Sequence, residues 1–293
     1  MIKLKRMKNR LLYIVCGFCL LATACDKEKN LIPTERPESG YFVPQGNHGY
    51  DSRIVAWNEK CNFFILYKFE NKDIRWRYNQ WVGDDQVTYT FADTNYIDRQ
   101  LDLIESKFLN FYSTELLREG MPLKLLLLGQ LDDNMSYTHR RNIYTNFDSY
   151  ALAWGDASIG NMTAAEKSKF KTEVNQAFLF RLVDKKIVTI PEEFSKVSVY
   201  DDDYYSRSEM YKLGFLALNQ SADALRDFKK YIEVIISNPR SFLESPSSDF
   251  STHEGILDEM KDTEGLVRRK YQAIIDYFNR IGIDLQGIGN AVD

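Results

Sequence analysis

Histidine is scarce in this 293-residue chain: only His48, His139 and His253 occur, and no two stand four residues apart. The HExxH arrangement, in which histidines at i and i+4 share a helix face around zinc and the glutamate activates water, is therefore absent. The nearest text, His253-Glu254, continues into Gly255-Ile256-Leu257 and lacks the second ligand. Cysteine is as sparse. Cys16 and Cys19 fall in an N-terminal apolar run, Cys25 follows it, and Cys61 is left alone, so no disulfide framework is expected and stability must come from a core. A 44% hydrophobic, 14% aromatic composition can supply one. No apolar run reaches the roughly 20 residues that cross a bilayer as a helix. Positive charge is not in excess either: the formal net charge of −4 leaves no basic footprint for nucleic acid. There are no internal repeats, and no Ser, Cys or His constellation for nucleophilic catalysis is legible.

What is present begins with an N-terminal signal. Lys3, Lys5, Arg6, Lys8 and Arg10 lead into an apolar run from Leu11 to Leu21, which ends in Leu21-Ala22-Thr23-Ala24-Cys25. Charged region, apolar length, small residues and cysteine follow the order of a bacterial lipoprotein signal, so residues 1–24 are expected to be removed and Cys25 acylated. Loss of five cations and no anions would move the net charge from −4 to −9. Residues 25–50 carry Pro33, Pro37 and Pro44 without hydrophobic period and read as a lipidated, flexible tether. The acidic and lysine residues after Cys25 resemble the export signal of surface-displayed lipoproteins, which places the protein at the outer membrane, on the cell surface rather than the periplasmic face. Residues 51–293 make up the folded domain.

The centre of that domain is the stretch from Thr163 to Phe194. Thr163 and Glu166 form a capping box, and from Val174 to Val183 the helix is apolar nearly all round, the pattern of a buried helix. Pro191 ends the segment. Cys61 to Phe69 alternates Cys61, Phe63, Ile65, Tyr67 and Phe69 as a strand would. Asn95 to Tyr112 has helical spacing, with Asp93 or Thr94 as cap. Leu123 to Leu128 and Tyr150 to Trp154 read as strands, and residues 130–149 as polar turns. Ser198 to Ser208 reads as an acidic loop; Asp201, Asp202 and Asp203 could bind calcium, but further oxygen ligands are not identifiable. Ser221 to Ile236, with Leu225 on its apolar face, and Gly265 to Ile281 read as amphipathic helices, the second capped by Gly282. Strands first and helices later predict an α+β domain, a small N-terminal sheet followed by a mainly helical half around the buried helix.

The order of several pieces carries a resemblance. FFILYKF (Phe63 to Phe69), MPLKLLLLG (Met121 to Gly129), the central helix ending in Pro191 and Phe194, KLGF (Lys212 to Phe215), Asp227-Phe228, and RRKYQ with IGIDL (Arg268 to Leu285) follow one another as in the substrate-import-associated zinc metallohydrolase lipoproteins. Those zincin-like peptidases accompany outer-membrane import complexes of the SusC and SusD kind. The resemblance implies a zincin-like single domain, and it places the former HExxH positions on Asn175, Gln176 and Leu179. Arg226 and Lys230 flank the Asp227-Phe228 pair where the family has acidic residues. On that alignment the chain is a degenerate member: no metal, no cofactor and no catalytic residue are expected, and Asn175 and Gln176 either bond a ligand in the old cleft or satisfy backbone groups beside the core.

The expected function is thus a non-catalytic binding or accessory lipoprotein of a nutrient-import system, attached to the membrane through its lipid, with a peptide or glycan ligand and no nucleic acid. Two readings stand beside it. One is a peptidase-like hydrolase using a non-standard site. The other is a carbohydrate-binding surface lipoprotein in which Trp57, Trp76, Trp81 and Trp154 stack on sugar rings.

Overall fold

Helix α5, Ala164–Asp184, is the hub of the fold. Its start is fixed as the sequence predicts: the Thr163 hydroxyl accepts from the Glu166 amide, and the Glu166 carboxylate accepts from the Thr163 amide at 2.8 Å. From Phe170 to Val183 no residue is exposed. Tyr112 and Phe108 stack edge-on against Phe178, with ring centres 4.6 and 5.5 Å away. The buried Lys171 ammonium donates to the Ile288 and Ala291 carbonyls at 2.6 and 3.2 Å, tying the helix to the C-terminal end of the chain. Gly120 permits the close approach of a neighbouring helix end, because a Cβ there would lie 2.4 Å from Leu182 Cδ2.

The computed structural model describes residues 40–75, 87–133, 140–200, 206–217 and 223–291. Phe42–Asp293 forms one unit and Met1–Tyr41 another. The folded unit thus includes residues 42–50, which the sequence assigns to the tether. They are held by specific bonds: the Gln45 side chain accepts from the Tyr67 amide at 2.8 Å, and Tyr50 is buried.

The sheet has the order β1-β3-β5-β4, where β1 is Phe64–Leu66, β3 Lys124–Asp133, β4 Ile143–Thr145 and β5 Ser149–Leu152. β2, Val87–Phe91, pairs antiparallel with the far end of β3. β1, β3 and β5 run parallel, with Ile65 opposite Leu125 and Leu125 opposite Tyr150. Leu125 to Leu128 are fully buried, as expected where helices cover a parallel sheet. β4 alone runs antiparallel to β5 and forms an edge. The helices of the first half are α1 (Asp51–Cys61), α2 (Asn71–Arg75), α3 (Ile97–Lys107) and α4 (Thr114–Gly120). After α5 come α6 (Glu192–Ser195), α7 (Arg207–Lys212), α8 (Ala224–Ser237), α9 (Arg240–Glu244), α10 (Leu266–Arg280) and α11 (Leu285–Asn290). No described helix is long and apolar enough to cross a membrane.

The fold is therefore α+β as expected, with several local differences. Helices also sit between the strands of the first half, since parallel strands such as β1 and β3 need a crossover. The strand expected over Cys61–Phe69 is only Phe64–Leu66; Cys61 ends α1, and Asn62 breaks the helix in the left-handed region at φ 59°. Helix α3 stops at Lys107 and takes no cap from Asp93 or Thr94, because the Asp93 carboxylate instead accepts from the Asn95 amide at 2.9 Å. The supposed turns of 130–149 include the end of β3 and all of β4. The expected loop at 198–208 ends inside α7, whose first residue is Arg207. Leu225 lies on an exposed rather than apolar inner face, and Ile281 falls just beyond the end of α10 and is exposed as well.

Candidate functional site

A groove of about 490 Å³ runs between the edge strand β4 and helix α5. Its α5 wall is Glu173, Gln176, Ala177 and Phe180; the opposite wall is Arg141, just before β4, with Ile143, Tyr144 and Thr145 of β4. Three contacts fix the relative direction of strand and helix. Asn142 donates to the Glu173 carboxylate at 2.9 Å, Tyr150 (opposite Thr145) donates to the Ala177 carbonyl at 3.1 Å, and Arg181 donates to the Phe147 carbonyl at 3.1 Å. Strand and helix therefore run in the same sense.

The register of β4 decides which backbone groups face the groove. The Ala153 amide donates to the Asn142 carbonyl, and the Asn146 amide to the Ser149 carbonyl. Antiparallel strands alternate bonded and non-bonded pairs, so Asn142, Tyr144 and Asn146 turn their amides and carbonyls to β5, while those of Ile143 and Thr145 point out of the sheet. These two residues thus present backbone donors and acceptors that have no partner among the described residues beside the groove, the arrangement to which an extended chain can add a strand.

The former-site positions inferred from the sequence are not brought together. Asn175 is fully buried: its amide donates to the Lys107 and Lys171 carbonyls at 2.8 and 2.7 Å, and its oxygen accepts from Tyr112 at 2.8 Å. Leu179 is core as well. Only Gln176 reaches the groove, and the i, i+1, i+4 set that faces it is Gln176, Ala177 and Phe180, one residue further along. An amide, a methyl group and a phenyl ring do not make a zinc site, which needs nitrogen, sulfur or carboxylate donors converging on one point. Among the described residues, no group of three or more His, Cys, Asp or Glu side chains is placed to hold a metal ion. Arg226 is exposed and pairs with Asp223 at 3.4 Å, and Lys230 pairs with Glu233 at 2.7 Å. Neither lines the groove. The cation that α8 does bring to α5 is Lys229, bonded to Asp184 at 2.6 Å and lying 5.1 Å over the Phe180 ring.

The other marked residues have structural partners. Trp154, at φ 80°, is buried, donates to Asn142 at 2.6 Å and carries the Arg140 guanidinium 3.7 Å over its ring. Trp57 donates to Glu105 at 2.8 Å. Both described tryptophans thus serve packing. His48 stacks on Tyr50, and His253 meets the Leu216 carbonyl at 3.2 Å, with burial lowering its pKa. Cys61 is buried, and burial pushes its thiol pKa up, which disfavours the thiolate. Cys25, Trp76, Trp81, His139 and Asp201 to Asp203 lie outside the described residues.

Geometry thus defines an α+β domain with a groove between β4, an edge strand among the described residues, and a buried helix. No protein-family model matches the chain, and no curated protein does. Among solved structures, a "putative zinc-binding metallo-peptidase" from Bacteroides caccae ATCC 43185 is similar at 15% identity, covering 83% of this chain and 91% of that one with a TM-score of 0.48.

Proposed function

We propose that this chain is a lipid-anchored outer-membrane lipoprotein whose zincin-like domain binds an extended peptide between β4 and α5 without metal-dependent cleavage, as an accessory component of a nutrient-import system of the SusC and SusD kind. The observation that carries the binding role is the pair of outward-facing backbones at Ile143 and Thr145, set along a groove whose helix wall offers a single carboxylate, Glu173, rather than a converging set of metal donors. The lipid anchor rests on the run from Leu21 to Cys25, and the import setting on the order of sequence pieces given above.

Thr145→Pro tests the binding role. It removes one outward amide and leaves the bonded pairs of β4 with β5 intact, because Thr145 is a non-bonded position. In a screen of fluorescent hexapeptides, a subset should bind the wild-type domain, and Thr145→Pro should weaken binding about tenfold, the worth of one hydrogen bond. Peptide recovered after long incubation should be intact with and without chelator. Absence of any bound peptide would reject the binding role, and cleavage would favour a hydrolase.

A further inference from the structure

We propose that the β1 and β2 edge of the sheet is the side that rests on the lipid surface, with the rings of Phe42, Phe69 and Phe91 against the headgroups, so that the β4 edge is turned away from the membrane. This rests on the lipid-anchor reading above and on no part of the peptide reading. The sheet order separates the two edges. Along one side β3 carries β1 and then β2; along the other it carries β5, which pairs with β4, and beyond β5 the Arg141 amide donates to the Leu131 carbonyl. β1 and β4 thus stand three strand spacings apart, about 14 Å.

The chain that follows Cys25 joins the domain at the first of these edges. The Gln45 side chain accepts from the Tyr67 and Lys68 amides at 2.8 and 3.0 Å, and the Lys68 ammonium donates to the Gln45 carbonyl at 2.8 Å, so the residues just past β1 hold the incoming segment. Phe42, three residues before Gln45, is 72% exposed, and Phe91, at the end of β2, is 50% exposed. The Phe69 ring, one residue past Lys68, lies 5.1 Å from that of Phe91, which joins β1 and β2 in one aromatic edge. The exposed charged residues nearest Phe69 and Phe91 in the chain, Lys68, Glu70, Lys72 and Asp93, balance, so they do not hold these rings off a lipid surface although the chain as a whole is acidic. Phe42 stands 17 residues after Cys25, and a coil of that length spans about 23 Å. Tethering at such range gives an effective concentration of about a millimolar, at which aromatic side chains that would not hold the free protein on a membrane stay in contact with it.

The test uses the full acylated chain on phosphatidylcholine vesicles. With Cys25 acylated and Cys61 buried, a cysteine introduced at the surface is labelled alone. A nitrobenzoxadiazole label on Phe42→Cys or Phe91→Cys, each checked for a wild-type circular dichroism spectrum, should lose fluorescence to lipids brominated near the headgroup and be shielded from aqueous iodide. The same label on Phe147→Cys should show neither effect, because Phe147 is 81% exposed in the turn that follows β4, across the sheet from β1. Equal quenching by brominated lipid at all three positions, or at none, in protein that floats with the vesicles would overturn the membrane-facing edge and leave the lipid anchor standing. Protein that carries no acyl group and does not float would overturn both.

Discussion

Lys270→Met should destabilise the protein far more than an ordinary surface substitution. Lys270 on α10 is fully buried, and its ammonium donates to Asp227 Oδ2 on α8 at 2.6 Å. Rings of Phe215, Tyr200, Phe194 and Tyr231 surround it at 4.3, 5.0, 5.2 and 5.8 Å. Tyr200 donates to the same Oδ2 at 2.9 Å, and Oδ1 has no partner among the described residues. Burial raises the Asp227 pKa and lowers that of Lys270, each opposed by the pair's own attraction. Removing the lysine strands a buried carboxylate, which costs about 3–5 kcal/mol, whereas replacing both partners with apolar residues is neutral or stabilising by about 1–4 kcal/mol. The sign with pH follows from the raised Asp227 pKa. The folded state holds the proton more tightly, so the penalty is absent below the ordinary carboxylate value near 4 and grows as pH rises through the raised value. Urea unfolding of Lys270→Met at pH 7.5 and at decreasing pH should show a deficit that shrinks in acid, and Asp227→Leu added to it should restore stability. A deficit under about 1 kcal/mol, or a double variant as unstable as the single, would refute the reasoning.

Asn175→Leu keeps the volume but takes the acceptor from the buried Tyr112 hydroxyl and removes the side-chain bonds to the Lys107 and Lys171 carbonyls, so it should cost about 2–3 kcal/mol in denaturant unfolding; a change within about 0.5 kcal/mol would show that the amide is not structural. Grafting histidine, glutamate and histidine onto Gln176, Ala177 and Phe180 should produce measurable zinc affinity in a competition titration, while the same graft on Asn175, Gln176 and Leu179 should give none, because two of those positions are core. Cys25→Ala should abolish labelling by a fatty-acid analogue and release the protein from membranes, and protease added to intact cells should degrade the wild-type protein if it is displayed outward.

Much of the fold is legible in the sequence because its strongest signals are local. The Thr163–Glu166 box and the apolar run to Val183 need no tertiary information, and the compact Leu125–Leu128 run marks the central strand by burial alone. β4 is not legible. Three residues, Ile143 to Thr145, between polar neighbours become a strand only through pairing with β5, and the groove depends on that pairing. Helix α1 was hidden by the alternation that begins at Cys61, which spills across a helix end. The groove lining was not legible: whether Asn175 and Leu179 or Ala177 and Phe180 of α5 face the groove turns on about a third of a helical turn, and only the direction of packing decides it.

Metal independence of the groove is tested most directly by elemental analysis of the mature protein purified without added metal. The groove chemistry predicts zinc well below one atom per chain and peptide binding unchanged by chelator. One zinc per chain, removed by chelator together with binding or cleavage of peptide, would contradict it.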